Sequence, residues 1–272
     1  MGVVNLTPDS FSDGGRLLDP ALAVEHALQL VADGADLLDL GAESSRPGAA
    51  PVLVDEELQR LIPVLRALRP RVHVPLSIDT TKAAVARAAL DAGADLINDI
   101  SGLRFDAEML PLLAKSRCGV VLMHMQGEPR TMQLAPHYDD VVAEVGGWLV
   151  RRLEEIARAG VAPERVLLDP GLGFGKRFDD NLELLQNLTR LRPAGRPLLV
   201  GGSRKAFLGR LLDEPVPERR LEGDLALAAW CHAARVEMLR VHEVRPARRL
   251  LRVLDALAAP PGGIEPGASG GA

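Results

Sequence analysis

The sequence predicts a single-domain (β/α)8 TIM barrel, the closed form of the α/β class, and three observations carry that expectation. Eight short apolar runs of β type are spaced along the chain. A longer helical pattern follows each of them. Every run also delivers polar or glycine-rich residues at its C-terminal end. Strands alternating with helices are the pattern of repeated βα units around a parallel sheet. The chain has 272 residues, close to the ~250 typical of such barrels.

Taken in order, the strands are expected at Val3–Leu6, Asp36–Leu40, Pro75–Asp79, Asp95–Ile100, Gly119–Met125, Arg165–Asp169, Pro197–Val200 and Met238–Val241. Helices fall near Pro20–Asp33, Asp55–Leu68, Lys82–Ala92, Ala107–Ser116, Asp140–Ala159, Asp180–Leu191, Lys205–Leu212 with Asp224–Ala234, and Pro246–Leu257. The phrases Asp33-Gly34-Ala35-Asp36 and Ala92-Gly93-Ala94-Asp95 each put a glycine at a helix C-terminus, just before the chain re-enters the sheet. An open doubly wound sheet is the alternative architecture, but no G-x-G-x-x-G stands at a strand–helix junction. Residues 1–257 are expected to form the barrel. The run from Ala258 to Ala272 lacks periodicity and is expected to be a disordered tail.

Hydrophobic residues make up 47% of the chain but aromatics only 3%, so the core is built of Ala, Leu and Val. A net charge of −5 gives none of the basic field that a nucleic-acid partner needs. Cys118 and Cys231 are far apart and read as small buried hydrophobes in a reducing compartment. Met1-Gly2-Val3-Val4 runs straight into an Asn-Leu-Thr-Pro turn, with no signal-peptide pattern. Either the first strand is the true start or an N-terminal segment is lacking. No apolar run reaches the ~18 residues of a membrane span. A soluble cytoplasmic protein without a membrane partner is expected.

In such barrels the chemistry sits at the C-terminal strand ends. Here those ends carry Asn5; Asp39 and Gly41; Asp79-Thr80; Asn98-Asp99; His124; Asp169-Pro170-Gly171; Gly201-Gly202-Ser203; and Arg240-Val241-His242. One aspartate at a strand end is commonly a cap for the next helix. Caps alone would not also supply Arg46, Lys205, Arg240 and His242. Arg240 and His242 are two apart on one strand and face one side. With Asn5 from the neighbouring strand they suit a phosphate group and its Mg²⁺, a hard ion that needs few protein oxygens. Asp79, Asn98 and Asp169 suit a flat heterocycle rich in N–H donors, such as a 2-amino-4-oxo-pterin.

Asn5-Leu-Thr-Pro-Asp-Ser-Phe-Ser-Asp-Gly-Gly15, Gly41-Ala-Glu-Ser-Ser-Arg-Pro-Gly48, Met123-His-Met-Gln-Gly127, Asp169-Pro-Gly-Leu-Gly-Phe-Gly-Lys176, Ser203-Arg-Lys205 and Arg240-Val-His242 resemble the motifs of the dihydropteroate synthase family, in family order. The resemblance implies condensation of 4-aminobenzoate with 6-hydroxymethyl-7,8-dihydropterin diphosphate, giving 7,8-dihydropteroate and diphosphate for folate biosynthesis. It implies that Asp79, Asn98, Asp169 and Lys205 hold the pterin. Asn5 would bind Mg²⁺, Arg240 and His242 the diphosphate, and Ser45, Arg46, Phe174 and Ser203 the aminobenzoate. No covalent or acid–base residue is assigned. A homodimer and a sulfonamide target are further implications.

The sequence departs from the family pattern in places. Ser45 stands for the usual Thr, and Glu243 for Asp. Ala83 follows Lys82 where Pro is usual, and Gly202 replaces a larger apolar residue, which is expected to loosen the pocket floor. A pterin-dependent methyltransferase would have no use for the diphosphate residues or the first-loop motif. A catalytically silent pterin-binding paralogue is the other alternative, separable by turnover.

Overall fold

The computed structural model describes residues 1–7, 19–45, 48–192 and 195–258. Its eight strands lie within two residues of the expected bounds at every end: β1 Gly2–Asn5, β2 Leu38–Gly41, β3 Leu76–Asp79, β4 Leu96–Asp99, β5 Gly119–Met123, β6 Val166–Asp169, β7 Leu199–Val200 and β8 Met238–Leu239. All pairings are parallel. Strands β1 to β6 are joined in sequence order, β7 pairs with β8, and bridges Leu168–Leu198 and Gly2–Val241 close the ring. At the closure the Val3 amide donates to the carbonyl of Val241 at 3.1 Å, and the Met1 amino group donates to Leu239 at 2.9 Å. This is the TIM-barrel class.

The helices are α1 Pro20–Ala32, α2 Val54–Leu68, α3 Ala83–Asp91, α4 Met109–Lys115, α5 Val141–Arg158, α6 Phe178–Gln186, α7 Ala206–Leu212, α8 Leu221–Ala233 and α9 Val244–Ala258. Asp19 and Asp140 cap α1 and α5 by accepting amide hydrogens from Ala21 and Ala143. The expected sixth helix is two pieces, because Asn187 interrupts it and Leu188–Leu191 form a 3-10 turn. Helix α9 runs one residue past the expected barrel end, to Ala258. The rest of the expected tail, 259–272, lies outside the described residues. No helix among the described residues is long and apolar enough to cross a membrane.

Strand alternation sorts the side chains into two cores. Outward-facing Val4, Leu38, Leu40, Leu76, Ile78, Ile97, Val120, Leu122 and Leu168 pack with helix residues such as Ala27, Leu61, Leu65, Val85, Leu113, Val145 and Leu184. Small residues on α1 and α3 (Ala23, Ala27, Ala86 and Ala89, all buried) let those helices come close to the sheet. Inside the ring the lower layer is apolar: Met1, Leu37, Val121 and Leu199, with Leu96, Leu167 and Met238 against them. Two residues further along the same faces stand Asp39, Asn98, Asp169 and Arg240. The barrel is therefore plugged at one end and polar at the other. Cys118 and Cys231 are both buried free thiols, as expected.

Candidate active site

The register aligns Asn5 with Gly41, Gly41 with Asp79, and Asp79 with Asn98, so four polar or glycine positions share one row at the mouth. Gly41 leaves room there: a methyl group on it would press on Asp79, at 3.3 Å from its Cβ. Beneath that row the fully buried Asp39 accepts from Arg240 Nε at 2.7 Å and from Asn98 Nδ2 at 3.1 Å. Arg240 Nη2 also donates to Asp79 at 3.2 Å. Burial would lower the Arg240 pKa, but Asp39 and Asp79 outweigh it and raise it. Burial pushes Asp79 up to about 7 despite Arg240, and the neighbouring Asp39 adds to the rise.

On the opposite wall, Asp169 Oδ1 accepts the Gly171 amide at 2.7 Å. Burial raises its pKa to about 6, opposed by Gly171, Lys205 and Lys176. The Lys205 ammonium, lowered to about 8 by burial and by Arg240, sits 3.9 Å from the centre of the Phe174 ring, within cation–π range. Phe174 itself is packed among Ile100, Met123, Met125 and Met132. Its loop lies directly on the end of β5. Gly171 and Gly175 have φ of +68° and +59°, and a side chain on either would overlap the carbonyl oxygens of His124 and Gln126. Buried Lys176 fastens the same junction: its Nζ is 3.0 Å from His124 Nδ1 and donates to the Phe174 carbonyl at 3.1 Å. Burial lowers its pKa to about 7.

His242 and Ser203 form the third cluster. Ser203 Oγ is 2.6 Å from Asp224 Oδ2 on α8 and 3.0 Å from His242 Nδ1. Asp224 Oδ1 accepts the Arg204 amide at 2.8 Å, and Arg204 Nη2 reaches Glu243 at 2.6 Å. Glu243 thus has a partner for the extra methylene it carries over Asp. Asn5 and His242 line one open cavity together with Ser45, Asp79, Phe174, Ser203, Lys205 and Arg240. Asn98 and Asp169 are buried beside it. Among the described residues no cluster of His, Cys, Asp or Glu could hold a metal unaided. Asn5 offers one neutral oxygen, which fits a Mg²⁺ ligated mainly by phosphate and water.

Ser45 stands at the cavity edge, while Arg46 lies outside the described residues. The chain before Ser45 is clamped by Lys82, whose Nζ donates to Glu43 at 2.7 Å and to the buried Glu57 at 2.6 Å. Next to it, the Ala83 amide donates to Asp106 at 2.8 Å. The usual Pro would remove that donor, so Ala83 has a use here.

Gly202 corrects an expectation. A methyl group on it would overlap Leu227 Cδ2, with Leu172 Cδ1 at 3.6 Å, so neighbouring leucines already fill the floor and it is not loosened. Gly202→Ala is expected to cost about 1–3 kcal/mol by overpacking, and Leu227→Val should restore part of it. Denaturant unfolding of the single and double variants checks this.

Asp39, Asp224, Lys82 and Glu57 carry bonds here that the sequence does not assign to them. Asp39 had one usable signal: it is an acid two residues before a strand-end glycine, on the inward face. The others bind partners on different elements, which no local pattern reveals.

A closed (β/α)8 barrel with Asp39, Asp79 and Asn98 on one wall of its mouth and Asp169 with Lys205 on the other, and Arg240 between, is the site of an enzyme for a polar ring bearing an anion. A family model described as pterin binding enzyme matches residues 1–242. Dihydropteroate synthase from Synechocystis sp. is 44% identical over 257 residues, covering 94% of this chain and 89% of the relative. The solved structure of Xanthomonas albilineans dihydropteroate synthase with 4-aminobenzoic acid superposes with a TM-score of 0.90 at 48% identity, covering 96% of this chain and 93% of that one. The same enzyme in complex with 7,8-dihydropteroate gives 0.86 at 45% identity, covering 96% and 94%. The chain belongs to the dihydropteroate synthases, within the pterin-binding enzyme family.

Proposed function

We propose that this chain joins 4-aminobenzoate to 6-hydroxymethyl-7,8-dihydropterin diphosphate, giving 7,8-dihydropteroate and diphosphate. The observation that carries the reading is the polar layer inside the barrel: Asp39 and Asp79 tied to Arg240, and Asn98 tied to Asp39, facing Asp169 and Lys205. Asp79, Asn98 and Asp169 present acceptors and an amide to the pterin ring, and Lys205 lies over the same end. A site of this kind rejects rings without matching donors, because its buried polar groups would go unpaired.

In the reaction the aminobenzoate nitrogen forms a bond to the pterin methylene carbon. The bond from that carbon to the diphosphate oxygen breaks with its electron pair on oxygen, and the amine loses one proton. Positive charge builds on the methylene and negative charge on the leaving oxygen. Arg240 and His242 face the leaving group, and Asn5 would hold a Mg²⁺ that would neutralise diphosphate charge. Phe174, Ser45 and Ser203 border the aminobenzoate, and the motif assigns Arg46 to the same substrate. We place the barrel in a homodimer in the cytoplasm, with 1–257 as its one domain.

Mixing the purified chain with both substrates and Mg²⁺ and following diphosphate release tests the reading. Release that requires 4-aminobenzoate is expected. Pterin binding without release would leave a silent paralogue.

Ser45→Thr is expected to tighten aminobenzoate several-fold and leave the pterin diphosphate unaffected. Thr has a stiffer χ1, and one buried methyl is worth about 0.8 kcal/mol. Calorimetry on the variant checks it, and weaker aminobenzoate binding would show that the surroundings have adapted to serine.

A further inference from the structure

We propose that Asp224, acting through Ser203, is a positioning residue that fixes which nitrogen of His242 carries its proton and so makes the diphosphate meet a charged ring. This rests on the reading of Arg240 and His242 as the diphosphate end of the site.

Three groups form an unbroken chain from helix α8 to the cavity: Asp224 Oδ2, Ser203 Oγ at 2.6 Å from it, and His242 Nδ1 3.0 Å further on. The other Asp224 oxygen is fixed by the Arg204 amide at 2.8 Å. A serine hydroxyl has one proton and an ionised carboxylate has none to give. The Ser203 proton therefore goes to Asp224, and Oγ is left to accept from the ring, as it also does from the His242 amide at 3.4 Å. Nδ1 must then be the donor.

That assignment has a consequence at Nε2, the ring nitrogen that can meet an anion in the cavity. In a neutral ring protonated on Nδ1, Nε2 is an acceptor and repels a phosphate oxygen. Only the imidazolium places an N–H there, and a charge-assisted bond to phosphate follows. Among the described residues, Ser203 Oγ stands at Nδ1 with Asp224 behind it, and Arg204, Lys205, Arg240 and Glu243 line the same cavity as the ring. Asp224 and Glu243 favour the cation. Arg204 opposes it but is paired with Glu243 at 2.6 Å. Asp224 is itself buried and does not line the cavity, so its effect passes through Ser203.

The test is nitrogen NMR of the full chain labelled on histidine, with the His242 signal assigned from His242→Ala, together with calorimetry of inorganic diphosphate with and without Mg²⁺. Wild type is expected to show the Nδ1–H ring, becoming doubly protonated when diphosphate binds. In Asp224→Asn the amide oxygen keeps the Arg204 N–H, so its NH₂ faces Ser203 and turns the serine proton toward Nδ1. The ring should then be the neutral Nε2–H form, which still donates to a phosphate oxygen but carries no positive charge, and diphosphate affinity should be a few-fold weaker. Asp224→Ala, which removes the link without adding a donor, should weaken diphosphate similarly and leave the ring in a mixture of both neutral forms. An Nε2–H ring in wild type, or both Asp224 variants with unchanged ring signals and affinity, would overturn the proposal. If His242→Ala also binds diphosphate as wild type does, the anion end has been misplaced and both readings fall. If only His242→Ala weakens binding, the site reading stands and the role of Asp224 does not.

Discussion

Asp169→Asn is expected to lower both pterin-diphosphate affinity and turnover by roughly ten- to a hundredfold, the span of a lost hydrogen bond to a charged group. The fold should be unchanged, because Oδ1 can still accept the Gly171 amide that it accepts now at 2.7 Å. Keeping that bond turns the new NH₂ toward the ligand, where a donor would face the N–H donors of the ring. A pH profile separates this from a loss of packing. Asp169 is raised to about 6 by burial, so only above that pH are both of its oxygens acceptors and is it charged. Wild-type pterin affinity should therefore fall as pH drops through about 6, and Asp169→Asn should lack that step. The same sign governs stability: a carboxylate whose folded pKa is raised favours the fold most at low pH, and that contribution is lost as pH rises through 6. Affinity and rate within twofold of wild type would remove Asp169 from the pterin site.

Asp39→Ala should have the largest effect on stability, about 3 kcal/mol, as expected when one member of a buried ion pair is removed. Asp39 is fully buried and holds both Arg240 at 2.7 Å and Asn98 at 3.1 Å. Without it, among the described residues, Arg240 keeps only the 3.2 Å side-chain bond to Asp79, and Asn98 loses its carboxylate. Urea unfolding should show the loss, and turnover of the remaining folded protein should also fall because both site residues lose their orientation. A variant as stable as wild type would mean that Asp79 alone can hold the guanidinium.

The strands and most of the helices were legible because their signals are local. An apolar run ending in Asp-Leu-Gly or Ile-Asp-Thr states both the strand and its mouth end, and the Ala-Gly-Ala-Asp phrases state where helices stop. The break at Asn187 was less legible, since a 3-10 turn keeps the helical spacing of Leu188 and Leu191. The site was legible as a set of residues and not as a set of bonds. Asn98, Asp169 and Lys205 could be singled out by position, but the engagement of Arg240 by two carboxylates depends on strands eight and two meeting across the closed ring. Ser203 is expected at the aminobenzoate end, and in the fold its hydroxyl meets Asp224 and His242. Gly202 was misread for the same reason: the leucine that fills its place is on α8, and only the folded chain brings it there.

The central claim is that the barrel mouth has two ends, a pterin end at Asp79, Asn98, Asp169 and Lys205 and an anion end at Arg240, His242 and Asn5. The most direct test is calorimetric titration of Asp169→Asn and His242→Ala with two probes, a pterin lacking diphosphate and inorganic diphosphate with Mg²⁺. The account predicts a crossed result: Asp169→Asn loses the pterin and keeps diphosphate, and His242→Ala does the reverse. Equal loss of both probes in both variants would contradict it.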